Sequence, residues 1–276
     1  MFLSHLKSKI FLIIFLLFSF NCKSKNDSIN YIGTIVLESN QIISFSLKIK
    51  EKKGIVSGLS ITNINQKDET ISKITGVYFK KEKKIQLIET EIISTKSEMP
   101  LNSFCYLNIN MKFKGILNQR LEGTFTAKKI NGEECAKGKI IMFKKEKIEK
   151  VKKKIEKKYN KKNKTIILSS RDSLTINTNS KDIILNIYDP HKEDKDKINL
   201  TFNGDTLLNN YETVKKIKKI KLNLIKGTNI IKICAINYGD FPPNTSRIIL
   251  KDRTKKYDII TQLNIDEETL IKIIKK

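Results

Sequence analysis

The chain has no tryptophan, and its 276 residues hold only two histidines, four cysteines and four prolines. Each shortage closes off a class of chemistry. Beyond Cys22 the one histidine is His191, so a Ser-His-Asp triad would have to use it. It stands among Pro190, Lys192, Glu193 and Asp194 in an expected loop, and no strand–elbow serine motif accompanies it. HExxH, a P-loop and GxGxxG are all absent. Carboxylate-pair glycosidase chemistry stays open, because any two of the 29 acids could meet in space. The chain therefore reads as a non-enzyme. Arginine is scarce too: Arg120, Arg171, Arg247 and Arg253 among 54 basic residues leave 50 lysines behind a formal charge of +25. Nucleic-acid readers favour the planar guanidinium fork, and abundant Ile and Asn suggest an AT-rich coding bias. Nucleic acid is not the expected partner.

A membrane-spanning apolar run is also missing. The longest, Ile10 to Phe20, is interrupted only by Ser19; as a helix it covers about 16 Å of a hydrocarbon core of about 30 Å. Preceded by His5, Lys7 and Lys9, it has the form of a signal-peptide h-region. The run closes Leu17-Phe18-Ser19-Phe20-Asn21-Cys22. That arrangement resembles the lipobox of bacterial lipoproteins, with Asn21 where Gly, Ala or Ser is usual. The resemblance implies cleavage after residue 21, acylation of Cys22 (the palmitate-bearing position of such proteins) and anchoring in the cell envelope, most naturally the outer membrane. An ordinary secretory signal and an uncleaved anchor are the alternatives. Residues 22–30 are polar and read as a lipidated tether.

Residues 31–143 are a succession of strand signals at 31–37, 42–50, 55–61, 70–79, 84–93, 103–113, 119–127 and 134–143. Phe45, Leu47 and Ile49 alternate with Ser44, Ser46 and Lys48, the period of two that buries one face. Turn residues such as Lys52-Lys53-Gly54 and Asn131-Gly132 separate the runs. The expectation is an eight-stranded antiparallel meander, closed as a lipocalin-like barrel or folded as a sandwich. Phe45, Tyr78, Phe79, Phe104, Tyr106, Phe113 and Phe125 are its core, or else the lining of a small-molecule cavity. Cys105 and Cys135 lie in this domain, and an oxidising compartment allows a disulfide between them; two independent buried thiols are the alternative. Cys234, in the apolar run 230–236, reads as a buried inert thiol.

Residues 144–164 hold twelve Lys and three Glu. Ile148, Val151, Ile155 and Tyr159 recur at helical spacing, and Glu146–Lys150 and Glu149–Lys153 are favourable i,i+4 pairs. A charged helix over about 144–159 is expected as a spacer, with contact to anionic head groups or surface polysaccharide as a sharper role.

Residues 165–263 return to alternation (Ile183, Leu185, Ile187; Ile198, Leu200, Phe202; Ile220, Leu222, Leu224). About seven strands are expected, as an Ig-like or jelly-roll sandwich. Asp189, Glu193, Asp194 and Asp196 offer hard oxygen ligands within eight residues, the chemistry Ca²⁺ prefers. Lys192, Lys195 and Lys197 oppose a cation there, so a solvated acidic turn is the competing reading. Residues 264–276 place Asp266, Glu267 and Glu268 before Lys272, Lys275 and Lys276, which suits a terminal helix.

The two β-regions resemble those of Bacteroidetes-type secreted lipoproteins. In the first, the carrying residues are Gly33, Gly58-Leu59-Ser60, Ile74-Thr75-Gly76-Val77-Tyr78, Phe104-Cys105-Tyr106 and 132–138. In the second they are the acidic loop, Asn203-Gly204, Gly227-Thr228-Asn229, Asn237, Gly239 and Pro242-Pro243-Asn244-Thr245-Ser246, with Lys195 where glycine is usual. No activity is assigned to that family. The resemblance implies a non-catalytic envelope lipoprotein that binds or scaffolds an envelope protein or polysaccharide; a small-molecule carrier is the runner-up.

Overall fold

The structure, a computed structural model, describes residues 28–115, 120–160 and 165–276. The expected signal peptide, Cys22 and most of the tether lie outside the described residues. Eight strands follow in order: β1 (Ile29–Leu37), β2 (Ile42–Lys52), β3 (Ile55–Thr62), β4 (Thr70–Phe79), β5 (Lys84–Thr95), β6 (Tyr106–Lys114), β7 (Arg120–Lys128) and β8 (Glu134–Lys144). Each pairs antiparallel with the next, and β8 returns to β1, so the meander closes as a barrel. The sheet starts two residues before the expected Tyr31, because Ile29 and Asn30 keep the register by pairing with Ile49 and Lys48.

Alternation fills the barrel. Phe45, Leu47, Val56, Ile74, Leu87, Ile109, Met111, Leu121, Ile140 and Met142 are all buried in one cluster. Gly33, Gly58, Gly76, Gly123 and Gly138 occupy inward positions where the strands approach most closely. A Cβ on Gly123 would overlap the carbonyl of Asn110, and one on Gly33 that of Ile141. These sites let a small barrel coil tightly enough to close. Cys105 and Cys135 are joined, with Cα atoms 6.4 Å apart, stapling the start of β6 to the start of β8.

Helix α1 (Lys145–Asn160) follows without a break. It is not an isolated spacer. Ile148 is 1% exposed and clusters with Phe143 at the end of β8 and with Tyr238 and Ile265 of the C-terminal region. Lys152 is buried as well, its Nζ donating to Asn264 Oδ1 at 2.7 Å.

The C-terminal region has ten strands. One sheet has the order β14 (Lys218–Asn223), β11 (Asp182–Tyr188), β16 (Asn244–Lys251), β17 (Lys256–Leu263), β9 (Thr165–Ser169). The other runs β10 (Ser173–Thr178), β18 (Glu268–Lys275), β15 (Gly227–Ala235), β12 (Lys197–Phe202), β13 (Asp205–Glu212). They form a β-sandwich whose core includes Leu185, Ile187, Ile198, Leu200, Ile231, Ile233, Ile248 and Ile259. The sheets are mixed, since β10 runs parallel to β18 and β9 parallel to β17.

The expected terminal helix is a strand. β18 lies between β10 and β15, with Thr269, Ile271 and Ile273 fully buried and the residues between them less so. An acid-to-base gradient is a weak determinant worth tenths of a kcal/mol. Period-two burial of β-branched residues on a central strand outweighs it.

Candidate functional site

Three connections cross from one sheet of the sandwich to the other at the same end. They are the acidic loop between β11 and β12, the segment between β13 and β14, and the loop between β15 and β16. Backbone bonds tie them into a knot. Asp189 N donates to Val214 O (3.0 Å), Thr213 N to Asp196 O (2.9 Å) and Asp240 N to Asp194 O (2.6 Å). Gly239 has φ +52°, and a Cβ there would collide with the Asp194 carbonyl, so the third loop lies directly on the first. Asn237 braces the contact, its Oδ1 accepting from Lys197 N and its Nδ2 donating to Lys195 O.

The four predicted acids divide in this knot. Glu193 is exposed on the rim and accepts from Lys215 N at 2.6 Å. Asp189, Asp194 and Asp196 are 3%, 8% and 0% exposed, so the solvated acidic turn describes only Glu193. Each buried carboxylate has one oxygen without any partner: Asp189 Oδ2, Asp194 Oδ1 and Asp196 Oδ1. The other oxygens of Asp189 and Asp196 accept from His191 N and Thr245 N, both at 2.7 Å. A fourth orphan acceptor belongs to Asn244, which is fully buried. Its Nδ2 donates to Lys197 O (3.0 Å) and Asn237 O (2.9 Å), while its Oδ1 has nothing. Burial, then the neighbouring carboxylates, raises Asp194 to about 7 and holds Asp196 well above the ordinary carboxyl range. Asp189 is raised as well, chiefly by burial. Two of the lysines that would repel a cation are engaged elsewhere: Lys195 Nζ reaches Asp240 (3.7 Å), and Lys192 Nζ sits over the Phe241 ring.

Among the described residues, no three acid, histidine or cysteine side chains stand close enough to enclose a metal unaided. A cation in this knot would have to combine fewer carboxylates with amide and main-chain oxygens, which is ordinary for Ca²⁺. His191 is half-buried and meets Tyr159 of α1, with Oη and Nε2 3.3 Å apart. Burial, and to a smaller degree Lys158, lowers its pKa.

The second candidate site is the barrel mouth. Pairing of β5 with β6 stops at Ile88–Asn108. Beyond it the Glu89 carboxylate takes the place of the ladder, accepting from Leu107 N (2.9 Å) and Ser60 Oγ (2.5 Å). Burial, opposed by those two donors, raises the Glu89 pKa. The mouth holds a cavity of about 270 Å³ lined by Ile35, Ile92, Phe104, Phe125, Glu89 and others. Of the aromatic residues expected in the interior, Phe45 and Phe125 are buried. Tyr78 and Phe113 pack edge-on at 5.8 Å toward the other end, and Phe79 is exposed. Glu89 escaped the sequence reading, yet it shares the inward parity of Ile85 and Leu87, and an acid in phase with a core face is a detectable signal. Cys234 is half-buried on β15, and burial pushes its thiol up to about 12.

No protein-family model, curated protein or solved structure matches the chain.

Proposed function

We propose that this is a lipid-anchored envelope protein with a non-catalytic binding or scaffolding role. Signal peptidase action after residue 21 would expose Cys22, whose acyl chains hold a barrel and a sandwich at a membrane surface, most naturally the outer membrane. The observation that carries this reading is the disulfide between Cys105 and Cys135, which suits an oxidising compartment and accompanies an N-terminal apolar run ending at a cysteine. One myristoyl-length chain gives only reversible binding, so stable anchoring needs more than one acyl chain. Replacing Cys22 by Ala tests the anchor: the protein leaves the membrane fraction while the folded body is unchanged. Retention of the Cys22→Ala protein in membranes at high salt would remove lipidation as the anchor.

A second reading, a small-molecule carrier, draws support from the barrel-mouth cavity of about 270 Å³. That volume sits just below the usual range for ligand pockets, about 300–1,000 Å³, and the barrel below it is filled. A small apolar ligand co-purifying with the native protein would favour the carrier. An empty mouth by native mass spectrometry leaves the scaffold reading alone.

A further inference from the structure

We propose that the loop knot at the end of the sandwich is a structural Ca²⁺ site built from Asp194, Asp196 and the side-chain oxygen of Asn244, with Asp189 beside them. The inference does not depend on lipidation. It rests first on the unpartnered oxygens. Buried polar atoms are nearly always hydrogen-bonded, and an unpaired buried carboxylate is costly. Here three carboxylates and one amide, all at least nine-tenths buried, each leave an oxygen unsatisfied within one set of three crossing loops. The fully buried Asn244 is the independent observation. It is uncharged, and both hydrogen bonds of its amide nitrogen go to main-chain carbonyls, including that of Lys197, the residue after Asp196. Its oxygen is left without any donor, on a residue whose neighbour Thr245 donates its main-chain N–H to Asp196.

The donor set is all oxygen, with no buried nitrogen or sulfur ligand among the knot residues. That selects a hard cation, and irregular loops with carbonyls nearby suit the larger, more tolerant Ca²⁺ over octahedral Mg²⁺. The same loops reach the barrel. Tyr238 stacks edge-on against Phe143 at 6.1 Å, and Arg120 Nη1 donates to Asp240 at 3.4 Å. A cation at the knot would therefore stiffen the junction between barrel and sandwich as well as the loops. The competing account is a set of carboxyls sharing protons, which would need no metal.

The test uses the purified full chain, stripped with chelator. Calorimetric titration with CaCl₂ at pH 7.5 is expected to give one Ca²⁺ per chain. Saturating Ca²⁺ is expected to raise the unfolding midpoint by about 5 °C or more, and MgCl₂ at the same concentration by far less. Asp196→Asn is expected to fold, since it removes a buried charge, and to lose the Ca²⁺ response; Asn244→Ala is expected to weaken Ca²⁺ binding at least tenfold. The titration needs no variant. Absence of heat and of any midpoint shift with millimolar Ca²⁺ in the unaltered chain would overturn the site and leave the proton-sharing account. A full Ca²⁺ response retained by both variants would move the cation elsewhere and overturn the assignment.

Discussion

Ile148→Ala probes whether the barrel and the sandwich are one cooperative unit. Ile148 is 1% exposed and lies between Phe143 of the barrel and Tyr238 and Ile265 of the sandwich, with half-buried Ile32 and Ile141 against them. Truncating a buried Ile to Ala costs about 2–5 kcal/mol through lost transfer energy and the cavity left behind. This cluster is small and can partly collapse, so the lower part of that range, about 2–3 kcal/mol, is expected. The better helix propensity of Ala returns less than about 0.5 kcal/mol. For a chain of this size the midpoint should fall by about 4–6 °C. Thermal melts give the total, and hydrogen exchange read separately on barrel and sandwich peptides gives the coupling. In the unaltered chain both sets should open together; in Ile148→Ala the sandwich and barrel should exchange with different free energies. Val151→Ala, on the 37% exposed side of α1, should change stability by less than about 0.5 kcal/mol. An Ile148→Ala protein within about 0.5 kcal/mol of the parent, with unchanged exchange, would mean that α1 is a spacer and would refute the packed junction.

Two further outcomes follow from the barrel. The Cys105–Cys135 bond closes a loop with a sequence separation of 30, worth roughly 3–4 kcal/mol in the chain-entropy model. The Cys105→Ala/Cys135→Ala double variant should lose about that much in urea titration, and a loss below about 1 kcal/mol would contradict it. Glu89 has its folded pKa raised above the ordinary carboxyl value by burial. The stabilisation from its protonated form is therefore fully present below the unfolded pKa, near 4.5, and is lost as pH rises through the folded value. Glu89→Gln keeps an acceptor for Leu107 N, and its amide nitrogen can donate to Ser60 Oγ where the carboxylate accepts from it, so its unfolding midpoint should decline less than the parent's above pH 4.5. Parallel pH profiles for the two proteins would show that Glu89 is not held protonated.

The barrel was legible because each strand carries its own alternation, and tight turns at residues 38–41, 53–54 and 80–83 join several of them. The hairpin at Lys53-Gly54, with φ of 53° and 86°, and that at Asn203-Gly204, with 52° and 95°, follow directly from residue types that accept positive φ. Barrel and sandwich closures were indistinguishable from the sequence, since both bury the same alternate residues; pairing of β8 with β1 decides between them. The strands β9, β10 and β18 were harder to see. β9 and β10 are short and pair in parallel with strands about ninety residues away, a relation that no local pattern records. β18 was obscured by its charged flanks. In the acidic loop the residue types were visible, but the division between rim and interior was not. Glu193 and Asp194 are adjacent, and only the overlying loop at Gly239 and Asp240 buries one and leaves the other exposed. Asn244 reads as a loop-bracing residue until Lys197 and Asn237 are seen to occupy both its amide hydrogens.

The proposed anchoring of this two-part β structure at an envelope surface, through acyl chains on Cys22, is open to direct measurement. Intact-mass and N-terminal peptide mass spectrometry of the protein extracted from its native membrane tests it most directly. The expected result is a mature chain beginning at Cys22, carrying a diacylglyceryl group on the thiol and the Cys105–Cys135 bond intact. A chain that retains Met1, or one that begins near residue 22 with an unmodified thiol, would contradict it.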